Sequence, residues 1–573
     1  MKRSIALCGF ICLSIHAAPP QHTCDSINLD QGWTPEVSEK FWFTSQGSRM
    51  MPYPWFMALE VADPTSQMLF ANPSNMNRYG FIPAPASAMN KDGLPIGFTK
   101  DVGDANDSYI GLNCAACHTG SLNIAGKSVI VEGGPALGDF WTFLGESTAA
   151  LETALTVPAK FDRFSKKVLN VENPTPAAIE ELRGSMKAKL ADLQLRLTQN
   201  APNTPYGNGR VDAFAHILTH VLAQDFNIPS NAAPPYAPAI KAPVSYPFLW
   251  DTPQHDLVQW NGSAPNTRIL QLGPLSRNTG EVLGVFGQLE VTPGTHSWLP
   301  FLSKPPQFKH SVQLANLVAL ENTVKTLWSP VWPKNCLPLA DAATLARGEA
   351  VYQTNCATCH RVLKDPERKD ENRQITAILK TLPQIGTDPT MAMNFVAWKA
   401  KSGPLEGSLN VIQLQRFGPE APGYDLLLAT VNGIVLHGID RPNGVPVSVG
   451  GLEVNLATEL ANFKSALQSA RTPRYKARPL NGIWATAPYL HNGSVPTLFD
   501  LLNTTDQRPQ VFYVGSRDFD AEKVGISTKE APGTFRFDTS IQGNWRNGHD
   551  GPEFGTMLPV QQKKDLLEYL KTL

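Results

Sequence analysis

Apolar residues at steps of three and four mark three helices. Ile179, Leu182, Met186, Leu190, Leu193 and Leu197 form one stripe, behind Thr175 as N-cap and Pro176 at the first helical position, which predicts a helix from about 176 to 197 with one buried face. Leu345, Gly348 and Tyr352 share a face in a helix that starts at Asp341 and leads into Asn355. Leu566, Tyr569, Leu570 and Leu573 do the same at the end of the chain. Ile5 to Ile15 is a different pattern, a continuous apolar run behind Lys2 and Arg3 and before the small residues Ala17–Ala18. It reads as a signal peptide over residues 1–18, too short to span a bilayer.

Between these segments the periodicity is weak. The chain of 573 residues carries 43 Gly and 48 Pro, which implies long ordered loops rather than a repeat or a coiled coil. The length predicts two or three domains. The stretch Pro330 to Pro338 reads as a linker, giving an N-terminal unit over 19–335 and a C-terminal unit over 336–573. The expected fold class is mainly α with long loops. Charge is balanced, 49 basic residues against 50 acidic ones, so nucleic acid is not an expected partner. No stretch is long and apolar enough for stable membrane insertion, and the leader predicts a periplasmic or secreted protein.

Eight Cys are present, and four of them carry the chemistry. Cys114-Ala-Ala-Cys117-His118 and Cys356-Ala-Thr-Cys359-His360 are two C-x-x-C-H motifs. In this motif the two thiols form thioethers to haem vinyl groups, and the adjoining His then ligates the iron from the proximal side. A zinc site would call for four closely spaced ligands, and a thioredoxin-like pair for a βαβ context; neither is present. Two covalent haem c groups are the expected cofactors. Cys8 and Cys12 fall in the leader, which leaves Cys24 and Cys336. A disulfide between these two and a pair of unrelated buried thiols are both open readings.

A helix that runs into C-x-x-C-H and a closing C-terminal helix with an aromatic on its inner face resemble the cytochrome c fold. The two motifs at this separation resemble the bacterial dihaem cytochrome c peroxidase/MauG superfamily, as does the stretch Leu480-Asn-Gly-Ile-Trp-Ala-Thr-Ala-Pro-Tyr-Leu-His-Asn-Gly-Ser-Val-Pro-Thr-Leu498. Gly209-Arg-Val-Asp-Ala-Phe214, Val258-Gln-Trp-Asn-Gly262, Arg277-Asn-Thr-Gly-Glu-Val-Leu-Gly284 and Gly548-His549 are similar to the rubber oxygenase (RoxA-like) branch, which also holds haem fatty-acid dioxygenases and diol synthases. The resemblance implies two cytochrome c-like haem domains with loop-rich extensions. It makes His118 and His360 proximal ligands and His549 the distal ligand of the second haem, with His491 as the alternative. It places an open, catalytic iron at the first haem, Phe286 in the lining of that pocket, and Trp260 as a relay between haems. Whether a Ca2+ sits between the domains is left open by the sequence.

The superfamily's peroxidases place a distal His soon after the first motif, whereas here the next His after His118 is His216. Heterolysis of a peroxide needs a group that moves a proton, and O2 binding in an apolar pocket does not. The sequence therefore favours an oxygenase that adds O2 to a C=C bond of an apolar substrate, polyisoprene or an unsaturated fatty acid. The competing readings are an H2O2-dependent peroxidase or MauG-like oxidase served by an electron-donor cytochrome, and a dihaem electron carrier without substrate chemistry.

Overall fold

A computed structural model describes residues 24, 26–103, 107–224, 242–266, 272–295, 304–410, 415–439 and 471–573. The expected signal peptide lies outside the described residues. Among the described residues, the regular elements are helices and ten small antiparallel sheets, none with more than three strands. The frequent Pro and Gly explain this texture, since each interrupts a helix or a ladder before it can extend.

In the N-terminal half, α1 (Phe140–Thr156) and α2 (Pro176–Asn200) pack on the segment 50–112. The stripe predicted on α2 is buried at Leu182, Met186, Leu190 and Leu193, and the Thr175 hydroxyl accepts from the Ala178 N–H as the N-cap. Phe56, Phe70, Phe98 and Phe143 join this core. Residues 50–98, with frequent Pro and Asn, are thus part of the packing.

A second core holds Leu29, Leu122, Val131, Phe248, Trp250 and Trp332 together with Tyr352, Trp484, Leu566 and Leu570. Residues from before and after position 335 interleave in it. The stretch expected as a linker is packed: Trp332 is 2% exposed, 5.3 Å from Trp484 between ring centres, and the Val331 N–H donates to the Leu29 carbonyl. Cys24 and Cys336 form a disulfide, Cα to Cα 4.7 Å, which ties the start of the described chain to this stretch.

Three further helices frame the region between the motifs: α3 (Ala213–Thr219), α4 (Leu272–Gly284) and α5 (Leu314–Lys325). The motif Gly209–Phe214 has a structural explanation. Arg210 is 1% exposed and donates to Asn544 Oδ1 at 2.7 Å and to the Asn492 carbonyl, and Asp212 caps α3 by accepting from the Ala215 N–H. In the C-terminal half, α6 (Ala342–Asn355) starts at Asp341, whose carboxylate accepts from the Thr344 N–H, and ends at Cys356. It crosses α7 (Val560–Lys571) at Gly348, where a Cβ would sit 2.1 Å from the Asp565 carbonyl oxygen, so only glycine fits.

Candidate haem sites

Cys114 to Cys117 form a single helical turn. Asn113 fixes its start: its side-chain oxygen accepts from the Ala115 N–H at 3.0 Å, and its amide donates to the carbonyls of Phe41 and Thr44. His118 closes the turn with its Nδ1 donating to the Pro247 carbonyl at 2.7 Å. That bond orients the ring and leaves Nε2 as the metal-binding nitrogen, which is how protein-bound metals hold a histidine. Burial keeps the His118 pKa down at about 4, so the ring is neutral and able to ligate.

The second motif repeats the device. His360 Nδ1 donates to the Arg478 carbonyl at 2.8 Å, and the Tyr352 hydroxyl donates to the His360 carbonyl at 2.6 Å. Across a cavity of about 500 Å3, His549 faces His360 with ring centres 6.1 Å apart and planes inclined by 29°. An iron held by two imidazoles separates their ring centres by about 6 Å, since each metal–nitrogen bond is about 2 Å. The Nδ1 atom of His549 is buried without a hydrogen-bond partner, and burial followed by the charge of His360 holds its pKa down at about 3. Leu480, Leu498, Leu501, Leu566 and Leu570 supply apolar wall, and Cys356 and Cys359 also line the cavity. Donor set, spacing and volume fit a covalent, six-coordinate haem.

The local backbone explains His549. Gly548 has φ 105° and a Cβ there would lie 2.7 Å from Thr387 Cβ, so the chain can pass Thr387 only with glycine before the histidine. His491, the alternative ligand, lines the same cavity, but its Nε2 lies 3.0 Å from the Tyr475 hydroxyl, with the two rings 4.2 Å apart.

The cavity beside Cys114 and His118 is smaller, about 60 Å3, and its wall is charged. Arg277, Glu281, Glu321, Lys476 and Arg478 line it along with Gln259, Trp260, Val258 and Leu320. No second His, and no Met, is among the described residues that line it. Arg277 donates to Glu321 at 2.7 Å. Desolvation and then the Arg478 charge push Lys476 well below the usual amine range, and burial pushes Arg478 down to about 10. Arg478 Nε is buried without a partner. A buried donor without a partner is costly, and a carboxylate of a haem would suit this one.

The structure departs from expectation at two residues. Phe286 does not line this cavity. The chain leaves α4 at Gly284 and turns at Phe286 with φ 74°, so the ring packs 6.1 Å from Phe140 with the Arg196 guanidinium 4.8 Å over it. The pocket is also not poor in proton-moving groups. Glu281 on α4 faces it, and burial raises its carboxyl above the usual range against the opposing pull of Arg277 and the Gln259 side chain. The motif 277–284 contained this residue, but nothing in its spacing marked it as facing a haem. Trp260, expected as a relay, lines both cavities, and its indole donates to the Ser245 carbonyl at 2.9 Å. For Ca2+, no group of three or more His, Cys, Asp or Glu side chains able to hold a metal occurs among the described residues.

A protein of Sinorhizobium fredii named "Uncharacterized protein y4iJ" is 33% identical over 95% of this chain and 93% of its own length. The chain belongs to the y4iJ family. A second protein of that organism, "Uncharacterized protein y4iM", is 26% identical over 60% of this chain and 67% of its own length. Residues 474–513 match the family described as RoxA-like, cytochrome c-like. This segment starts at the strand Arg474–Ala477 and includes Arg478 and His491, so it spans the wall between the two cavities. The match makes haem c the cofactor class and oxidoreduction the reaction class of this y4iJ relative. No helix among the described residues is long and apolar enough to cross a membrane.

Proposed function

We propose that this y4iJ-family protein is an exported dihaem c-type oxidoreductase in which the second haem passes electrons and the first activates a small oxygen species. The observation that carries the reading is the contrast between the cavities: His360 faces His549 at the spacing of a shared iron, whereas no second His or Met is among the described residues that line the cavity at His118. When bound, haem supplies iron that changes oxidation state and, at an open position, binds an oxygen ligand. The chain does the rest. His118, His360 and His549 would hold the irons, and Glu281 would hold or accept a proton beside the first site. Trp260 lies between the two sites. The disulfide suits an oxidising compartment and supports export.

Glu281 decides the order in which oxidants are considered. A buried carboxyl beside the open site is the proton-moving group that peroxide cleavage needs, so an H2O2-dependent reaction with an electron-donor cytochrome stands first. Addition of O2 to a C=C bond stands second, favoured by the RoxA-like match over 474–513. The test supplies H2O2 with a reduced small cytochrome, and separately air with oleate or polyisoprene latex and no peroxide. Peroxide-dependent oxidation of the cytochrome is expected. Oxygen uptake with hydroperoxide or carbonyl products and no peroxide turnover selects the oxygenase. Failure of the first haem to bind CO once reduced contradicts both.

A further inference from the structure

The geometry points to Arg478 as the residue that couples the two haem sites, a positioning residue braced against the supports of both proximal histidines. The inference rests on the two-haem reading above and adds to it how the sites communicate. Arg478 is 7% exposed and lines both cavities. Its carbonyl accepts from His360 Nδ1 at 2.8 Å. Its guanidinium donates to the Phe248 carbonyl at 2.9 Å and to the Trp250 carbonyl at 3.0 Å, and lies 3.6 Å over the Phe248 ring. The residue before Phe248 is Pro247, whose carbonyl accepts from His118 Nδ1 at 2.7 Å. Three hydrogen bonds and one arginine therefore join the imidazole of His118 to that of His360.

Two consequences follow from this chemistry. The acceptor at Nδ1 sets the basicity of a ligating imidazole, and a buried cation nearby disfavours the more positive state of an iron. A single residue that supports both acceptors and carries that charge should act on both potentials. The fork of the guanidinium also holds the carbonyls of Phe248 and Trp250 together, which an ammonium cannot do. Arg478 neither gains nor loses an electron or proton; the electron that leaves one iron enters the other.

The test uses the full-length two-haem protein with Arg478→Gln and Arg478→Lys. The readouts are the reduction potentials of both haems by spectroelectrochemistry and the rate of electron redistribution between them after photolysis of bound CO. Arg478→Gln should lower both potentials and slow redistribution roughly tenfold or more. Arg478→Lys, which keeps the charge and loses the fork, should slow redistribution with smaller shifts in potential. A shift confined to one haem, or an unchanged rate in both variants, overturns the inference. If Arg478→Gln does not accumulate, the rate in Arg478→Lys decides alone. A wild-type chain with fewer than two covalent haems overturns both readings, whereas two haems with unmoved potentials overturn the coupling alone.

Discussion

Two side chains carry the functional assignment: His549, which faces His360, and Glu281, which lines the cavity at His118. His549 is expected to bind the second iron. His549→Ala should therefore convert a low-spin signal to a high-spin one in the EPR and optical spectra, with both haems retained through their thioethers. His491→Ala should leave that signal low-spin, because its ring engages Tyr475; the reverse result would exchange the two roles. Glu281 is expected to act as a base toward peroxide. Its carboxyl is raised by burial, and only its deprotonated form accepts a proton, so the peroxide-dependent rate should climb with pH across a pKa above the ordinary carboxylate range. Glu281→Gln should lower the rate about 100-fold and flatten that limb. A variant as fast as wild type, with the same pH profile, would remove Glu281 from the chemistry. At this scale the sequence was uneven. C-x-x-C-H is legible because attachment demands adjacent residues, and Gly548-His549 through family likeness. Glu281 and Arg478 were not legible, since a carboxyl or guanidinium acquires a role only from what folding buries beside it.

Helices were legible where a long apolar stripe or a strong cap marked them. The structure places α2 at Pro176–Asn200 and α6 from Ala342, each within a few residues of the boundaries read from Thr175 and Asp341. The two-stranded ribbons were not. Thr119–Ile124 pairs with Lys127–Glu132 across Ala125–Gly126, which lacks the Asn-Gly signature that flags such hairpins. The crossing of α6 and α7 makes a test of its own. A side chain at Gly348 must displace the Asp565 backbone, so Gly348→Val should destabilise the chain by about 1–3 kcal/mol in chemical denaturation, while leaving the first haem's spectrum unchanged. An unaltered midpoint would mean that the helices do not meet as described.

At the scale of the molecule, the expected division at residue 335 is not reflected in the packing. Trp332 and Leu337 sit in the same core as Tyr352 and Trp484, and the disulfide from Cys24 lands on Cys336. The prolines of 330–338 resemble a tether because proline is common in exposed linkers. The aromatic Trp332 among them was the sign of burial. The disulfide closes a span of 312 residues, and long closures restrict the unfolded chain most. Replacing Cys24 and Cys336 together with Ser should lower stability by about 2–5 kcal/mol, read as a fall in Tm with haem content unchanged. No fall in Tm would show that this bond does not limit unfolding. The whole assignment depends on two covalent haems in one chain, one closed by His549 and one open beside His118. EPR of the purified protein, with haem quantified in alkaline pyridine on the same sample, tests that directly. Two c-type haems per chain, giving one low-spin and one high-spin ferric signal, is the predicted result; a single haem, or two low-spin signals, would contradict it.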